Sequence, residues 1–252
     1  MKVKKKAIPK NEALSLKTKT FLPEEKVRHI YRKKVICCTD SKGHAQPEGR
    51  DLAELRVDAS DGFIPLWAKN VTLNWRFSRS FGSYFQNPTA AKTEIKRLLG
   101  ESIMGWQDAC PVRFHENNDT WDFEIRMHAE DCDASGCVLA SAFFPGPGRN
   151  TLYIYPTMFE QSRAEQIETL QHELGHVFGL RHFFANITEQ AWRSELFGSD
   201  SPFTIMNYGS NSRLTTRDRR DLKKLYKQVW NGQLTEINGT PVKLFRSYHM
   251  NR

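Results

Sequence analysis

No stretch of this chain approaches the roughly 18 consecutive apolar residues that a membrane-spanning helix needs, so no membrane span is expected. The opening Met1-Lys-Val-Lys-Lys-Lys-Ala-Ile-Pro-Lys10 is basic, but neither an apolar h-region nor a small-residue cleavage site follows it. That reads as a protein without a secretory signal, either cytoplasmic or exported by a non-classical route. Cysteine is sparse: Cys37, Cys38, Cys110, Cys132 and Cys137 make an odd set of five in 252 residues, which is not a disulfide framework. Adjacent Cys37 and Cys38 are poor partners for each other, whereas Cys132 and Cys137 could close a small loop in an oxidising compartment. No C-x-x-C pair is present, which argues against a cysteine-based zinc site. Acidic residues are scarce at one end, where twelve Lys and Arg face three Glu in residues 1–34 and supply much of the net charge of +8. Basic chains can bind nucleic acid, but no recognition motif accompanies this run. It reads as a solvated arm, with no nucleic-acid partner.

What is present is enough for one large domain. Hydrophobic residues are 39% of the chain, with sixteen Phe and six Trp to fill a core. Residues 1–65 are polar, carry turn signals at Asp40–Gly43 and Gln46–Gly49, and read as a basic N-terminal extension. Residues 66–232 read as the main folded domain and 233–252 as a C-terminal tail. Val71–Phe77 and Trp121–Met127 alternate as half-buried strands do, and Cys137–Phe144 and Thr151–Tyr155 read as further strands. After Asn87-Pro88, Ile95, Leu98, Leu99, Ile103 and Trp106 share one helical face. Two more helices open at Ser162-Arg-Ala-Glu165 and Thr215-Thr-Arg-Asp218, both with capping-box spacing. The expected architecture is α/β (α+β): a twisted mixed sheet of about five strands with three helices.

The chemistry concentrates in His172-Glu173-Leu174-Gly175-His176-Val177-Phe178-Gly179-Leu180-Arg181-His182. Histidines four apart on a helix project from the same side, so His172 and His176 can share one metal ion. Gly179 permits the sharp, positive-φ turn that brings His182 back to the same ion. Three neutral imidazoles on Zn²⁺ leave a position open for water, as a catalytic site requires. Such an ion brings the pKa of its water to about 7, and Glu173, beside the first ligand, is placed to act as general base. The pattern would arise by chance in roughly one of 10⁴ chains of this length. The other five histidines have no such spacing.

This motif resembles that of the metzincin clan of zinc endopeptidases, H-E-x-x-H-x-x-G-x-x-H followed by a methionine-containing turn. Thr204-Ile-Met-Asn-Tyr-Gly209 is similar to that turn, with Met206 at the methionine position. Residues about 70 to 230 resemble a matrixin catalytic domain. The resemblance implies that Met206 packs beneath the three imidazoles and that Leu139 and Ala140 offer backbone contacts to an extended peptide. It also implies that the loop from Phe183 to Phe203 walls the specificity pocket. Ser141 stands where matrixins usually carry a histidine, Tyr153 lies near another of their second-zinc ligands, and the loop Glu130–Gly136 is short. One catalytic zinc is therefore expected, and calcium is unsupported. Ile-Met-Asn-Tyr-Gly looks more like the astacin and serralysin turn, which implies that Tyr208 binds zinc or stabilises the transition-state oxyanion. Phe183, after the third histidine, is not typical of these families. Cys37-Cys38-Thr-Asp40 lacks the matrixin latency context, so an ordered extension packing on the domain is favoured over a latency switch. The expectation is a monomeric zinc endopeptidase acting on protein or peptide substrates through a zinc-bound water activated by Glu173. The alternatives are a zinc- and peptide-binding pseudoprotease, or an anionic-surface or nucleic-acid binder acting through the basic arm.

Overall fold

The computed structural model describes residues 11–17, 55–59, 61–128, 138–182, 194–197, 204–206 and 213–251. In chain order the strands are β1 (Leu55–Asp58), β2 (Ile64–Trp67), β3 (Thr72–Phe77), β4 (Arg113–Glu116), β5 (Phe123–Met127), β6 (Ala140–Ser141), β7 (Asn150–Ile154), β8 (Leu180–Arg181), β9 (Ser194–Phe197), β10 (Glu236–Ile237) and β11 (Thr240–Phe245). The helices are α1 (Pro88–Trp106), α2 (Arg163–Val177) and α3 (Thr216–Trp230).

The main sheet has the order β4-β3-β5-β7-β6, parallel except for β6. The alternation read in the sequence sorts its two faces. Register sets Trp75 beside Phe123, Ile125 beside Leu152 and Met127 beside Ile154, all buried. Arg76, Glu124, Arg126 and Tyr153 occupy the alternate positions. Glu124 accepts hydrogen bonds from Arg76 Nη2 and Arg126 Nη2, each at 2.6 Å. Among the described residues, the mixed five-stranded sheet and three α-helices match the expected architecture.

All three helices begin where their caps predict. Asn87 Oδ1 accepts from Ala90 N at 3.0 Å, with Pro88 in the first turn. Ser162 with Glu165 and Thr215 with Asp218 each form the reciprocal capping box. α1 lies against α2, and its Ser102 hydroxyl and Trp106 indole reach the Ile167 and Gln171 carbonyls at 3.0 and 3.1 Å.

One strand is shorter than its sequence suggests. Of the reading Cys137–Phe144, only Ala140–Ser141 forms ladder among the described residues. Beyond Ser141 the chain leaves the edge so that Phe143 can pack on Phe123 and Phe144 on His176. Burying two aromatic rings outweighs extending a one-sided ladder.

The flanks also form strands. β1 joins β8 and β9 in one sheet, and β11 joins β10 and β2 in another. Residues 233–251 thus reach back to the start of the domain, Val242 pairing with Ile64 and Phe245 with Trp67.

Candidate metal centre

His172, Glu173 and His176 ride on the last turns of α2, and His182 follows β8. Phe178 N–H bonds Leu174 O at 2.9 Å and Gly179 N–H bonds His176 O at 2.8 Å, closing the helix. Gly179 has φ +87°, and a Cβ there would lie 2.8 Å from Pro65 O. The glycine is required twice, by its dihedral and by the close approach of β2. Trp67 Nε1 donates to Val177 O at 2.7 Å and Tyr226 Oη donates to Phe178 O at 3.1 Å, satisfying carbonyls that the helix end leaves over.

This turn brings three imidazoles together. His182 Nε2 lies 3.0 Å from His172 Nε2 and 3.2 Å from His176 Nε2. Corners of a tetrahedral site with zinc–nitrogen bonds of 2.0–2.1 Å are about 3.3 Å apart. On their far sides, His172 Nδ1 donates to Ile205 O and His176 Nδ1 donates to Leu180 O, both at 2.8 Å. A carbonyl can only accept, so those ring protons sit on Nδ1 and the Nε2 lone pairs face inward. Converging lone pairs repel unless a cation stands between them. The donor set therefore fits a zinc ion, and it is the one group of three or more potential ligands that comes together among the described residues.

Met206 is buried, and a Cβ on Gly175 would fall well inside contact with its sulfur. The methionine turn thus lies against the middle of the zinc-binding motif. Its position is shared with Asp218, whose carboxylate caps α3 and accepts from Ile205 N at 3.4 Å. Burial pushes the Asp218 carboxyl above its ordinary value, against the hydrogen bonds it accepts from Thr215, Thr204 and Ile205. Sequence reading found Asp218 as a cap and missed this second contact. Glu173 is buried at 2% exposure. Tyr208, Phe183 and the other four cysteines lie outside the described residues, while Cys110 is a free thiol whose burial pushes its pKa up to about 11.

Leu139 and Ala140 face opposite ways. Tyr155 N donates to Leu139 O at 3.0 Å, and Ala140 pairs with Ile154. Antiparallel alternation then turns the main-chain groups of Ala140 away from β7, toward the edge of the sheet. Ser141 is buried opposite Tyr153, whose ring meets His128 edge-on at 5.7 Å. His128 stacks on Tyr155 at 5.0 Å.

Two histidines one turn apart on a helix, a glycine turn to a third and a methionine packed against the helix between the first two define a metzincin-type zinc site over a mixed sheet. The chain belongs to the matrixin family, whose model matches residues 66–227, more than half of its length. It is 27% identical to stromelysin-3 of Homo sapiens over 149 residues, 54% of this chain and 28% of that protein. Macrophage metalloelastase of Rattus norvegicus is 27% identical over 176 residues, 63% of this chain and 34% of that protein. Metalloendoproteinase 4-MMP of Arabidopsis thaliana is 29% identical over 133 residues, 47% of this chain and 38% of that protein. The matched region thus covers about a third of each of these relatives.

Proposed function

We propose that the chain is a zinc-dependent endopeptidase in which His172, His176 and His182 hold the ion, Glu173 is the general base and Tyr208 donates to the developing oxyanion. One observation carries this reading: three Nε2 atoms converge while two of the rings are fixed from behind by main-chain carbonyls. The relatives, among them a metalloelastase and a metalloendoproteinase, support the same class of activity here. When bound, zinc supplies a Lewis acid that polarises the scissile carbonyl and acidifies water.

The remaining work falls to the chain's own groups. The peptide lies extended along the edge that Ala140 presents, adding a strand by main-chain hydrogen bonds. Glu173 takes a proton from the attacking water on its carboxylate and passes it to the leaving amine nitrogen. Glu173 is 2% exposed and follows the first imidazole directly in the chain, which supports this role.

The test is Glu173→Ala, read by zinc content and by cleavage of unfolded casein. Zinc is expected to remain at one equivalent while hydrolysis falls about 10²–10⁴-fold. Undiminished cleavage would remove Glu173 from this role. A parent chain that holds zinc but cuts nothing would leave a peptide-binding pseudoprotease.

A further inference from the structure

We infer that β1, which lies outside the family match, braces the metal centre, and that the buried Asp58–Arg181 ion pair positions His182. The inference rests on the metal-centre reading above. β8 consists of Leu180 and Arg181 alone, yet it aims two of the three imidazoles. The Leu180 carbonyl orients His176, and His182 is the next residue after Arg181. A two-residue segment cannot hold its own conformation. β1 holds it: Val57 pairs with Leu180, Arg56 pairs with Arg181, and Asp58 N–H donates to Gly179 O at 3.0 Å.

The side chains continue what the ladder begins. Arg181 is 0% exposed and its Nη1 lies 3.6 Å from Oδ1 of Asp58, itself 4% exposed. A guanidinium this deep carries a desolvation cost that an apolar residue would avoid. Its retention is explained by orientation. The guanidinium lies 5.9 Å from the Phe144 ring centroid, and that ring meets His176 edge-on at 5.5 Å. One charged group thus adjoins His182 through the backbone and His176 through an aromatic ring. Asp58 and Arg181 are positioning residues; neither is assigned contact with substrate.

The decisive variant is Asp58→Leu with Arg181→Met in the full chain, which removes both charges and leaves apolar volume. Such replacements commonly preserve folding. Three readouts apply: thermal unfolding of the metal-free protein, zinc Kd by chelator competition, and the absorption spectrum of the Co(II)-loaded protein. The expected result is a metal-free Tm near the parent's, a zinc Kd raised about 10–100-fold and an altered Co(II) band. Arg181→Lys alone, which keeps a cation beside Asp58, is expected to retain part of the affinity. Should the double variant fail to fold, Asp58→Asn, which keeps the shape, decides the matter on the same readouts. A folded variant with the parent's Kd and Co(II) spectrum overturns the brace alone. A parent that binds no zinc overturns the metal-centre reading and the brace together.

Discussion

Gly175 shows how one residue serves two elements. A glycine inside a helix normally costs about 0.5–1 kcal/mol relative to alanine, so substitution by Ala on a free helix would stabilise. Here the added methyl would collide with the Met206 sulfur. Gly175→Ala is therefore expected to destabilise by about 1–3 kcal/mol, as overpacking does. With Met206 replaced by Ala, the same change is expected to reverse sign, because the obstructing atom is gone. Urea unfolding of the four proteins in a double-mutant cycle measures this. Equal costs in both backgrounds would mean that Met206 does not set the requirement at position 175.

The outer face of the main sheet is knit by a single acid. Burial of Glu124 by itself would raise its pKa, but hydrogen bonds and charge from Arg126 and Arg76 outweigh that and hold it below the ordinary 4.5. Above the unfolded value both states are ionised and the contribution is complete. As pH falls through 4.5 and then through the lower folded value, the unfolded chain takes up its proton first, and the contribution is lost. Glu124→Gln should cost about 1–2 kcal/mol near neutrality, the arginines being partly exposed. The gap between parent and variant should stay constant well above 4.5 and close as pH falls through 4.5 and then through the lower folded value. Urea midpoints of metal-free protein across that range decide it; a gap independent of pH would count against the assignment. Strands such as β3 and β5 were legible in the sequence because their alternation is local, and the helix starts because a cap spans four residues. The His172–His182 spacing was legible for the same reason. β1, β2 and β8 were not, because each is two to four residues long and acquires its conformation from a partner distant in the chain. Asp218 was half legible: its cap bond is local, and its bond to Ile205 crosses 13 residues.

The whole molecule is larger than its family match. That match runs from 66 to 227, yet the end of α2 also depends on residues beyond it, Pro65 directly and β11 by way of β2. β2 carries Pro65 beneath Gly179 and Trp67 onto the Val177 carbonyl. β2 in turn is held by β11, with Ala68 N donating to Phe245 O at 2.8 Å. Asn238 and Thr240 donate to Glu195 on β9, at 3.0 and 2.8 Å. Farther on, His249 donates to the buried Asp122 carboxylate from both N and Nδ1, at 2.8 and 2.7 Å, while Asp122 also accepts from Asn74 N at 2.6 Å. These contacts separate two effects of the C-terminal segment. His249→Ala removes only the Nδ1 bond to Asp122, the main-chain bond remaining, and should cost about 1–3 kcal/mol with zinc affinity unchanged. Removal of residues 233–252 strips the partner from β2 and should lower both Tm and zinc affinity, because the support beneath Gly179 loosens. Thermal unfolding and chelator competition on the two variants distinguish the cases. If the shortened chain binds zinc as tightly as the parent, β2 supports the centre without β11, held to α3 by the bonds from Trp67 N to Tyr226 Oη and from Trp230 Nε1 to Trp67 O.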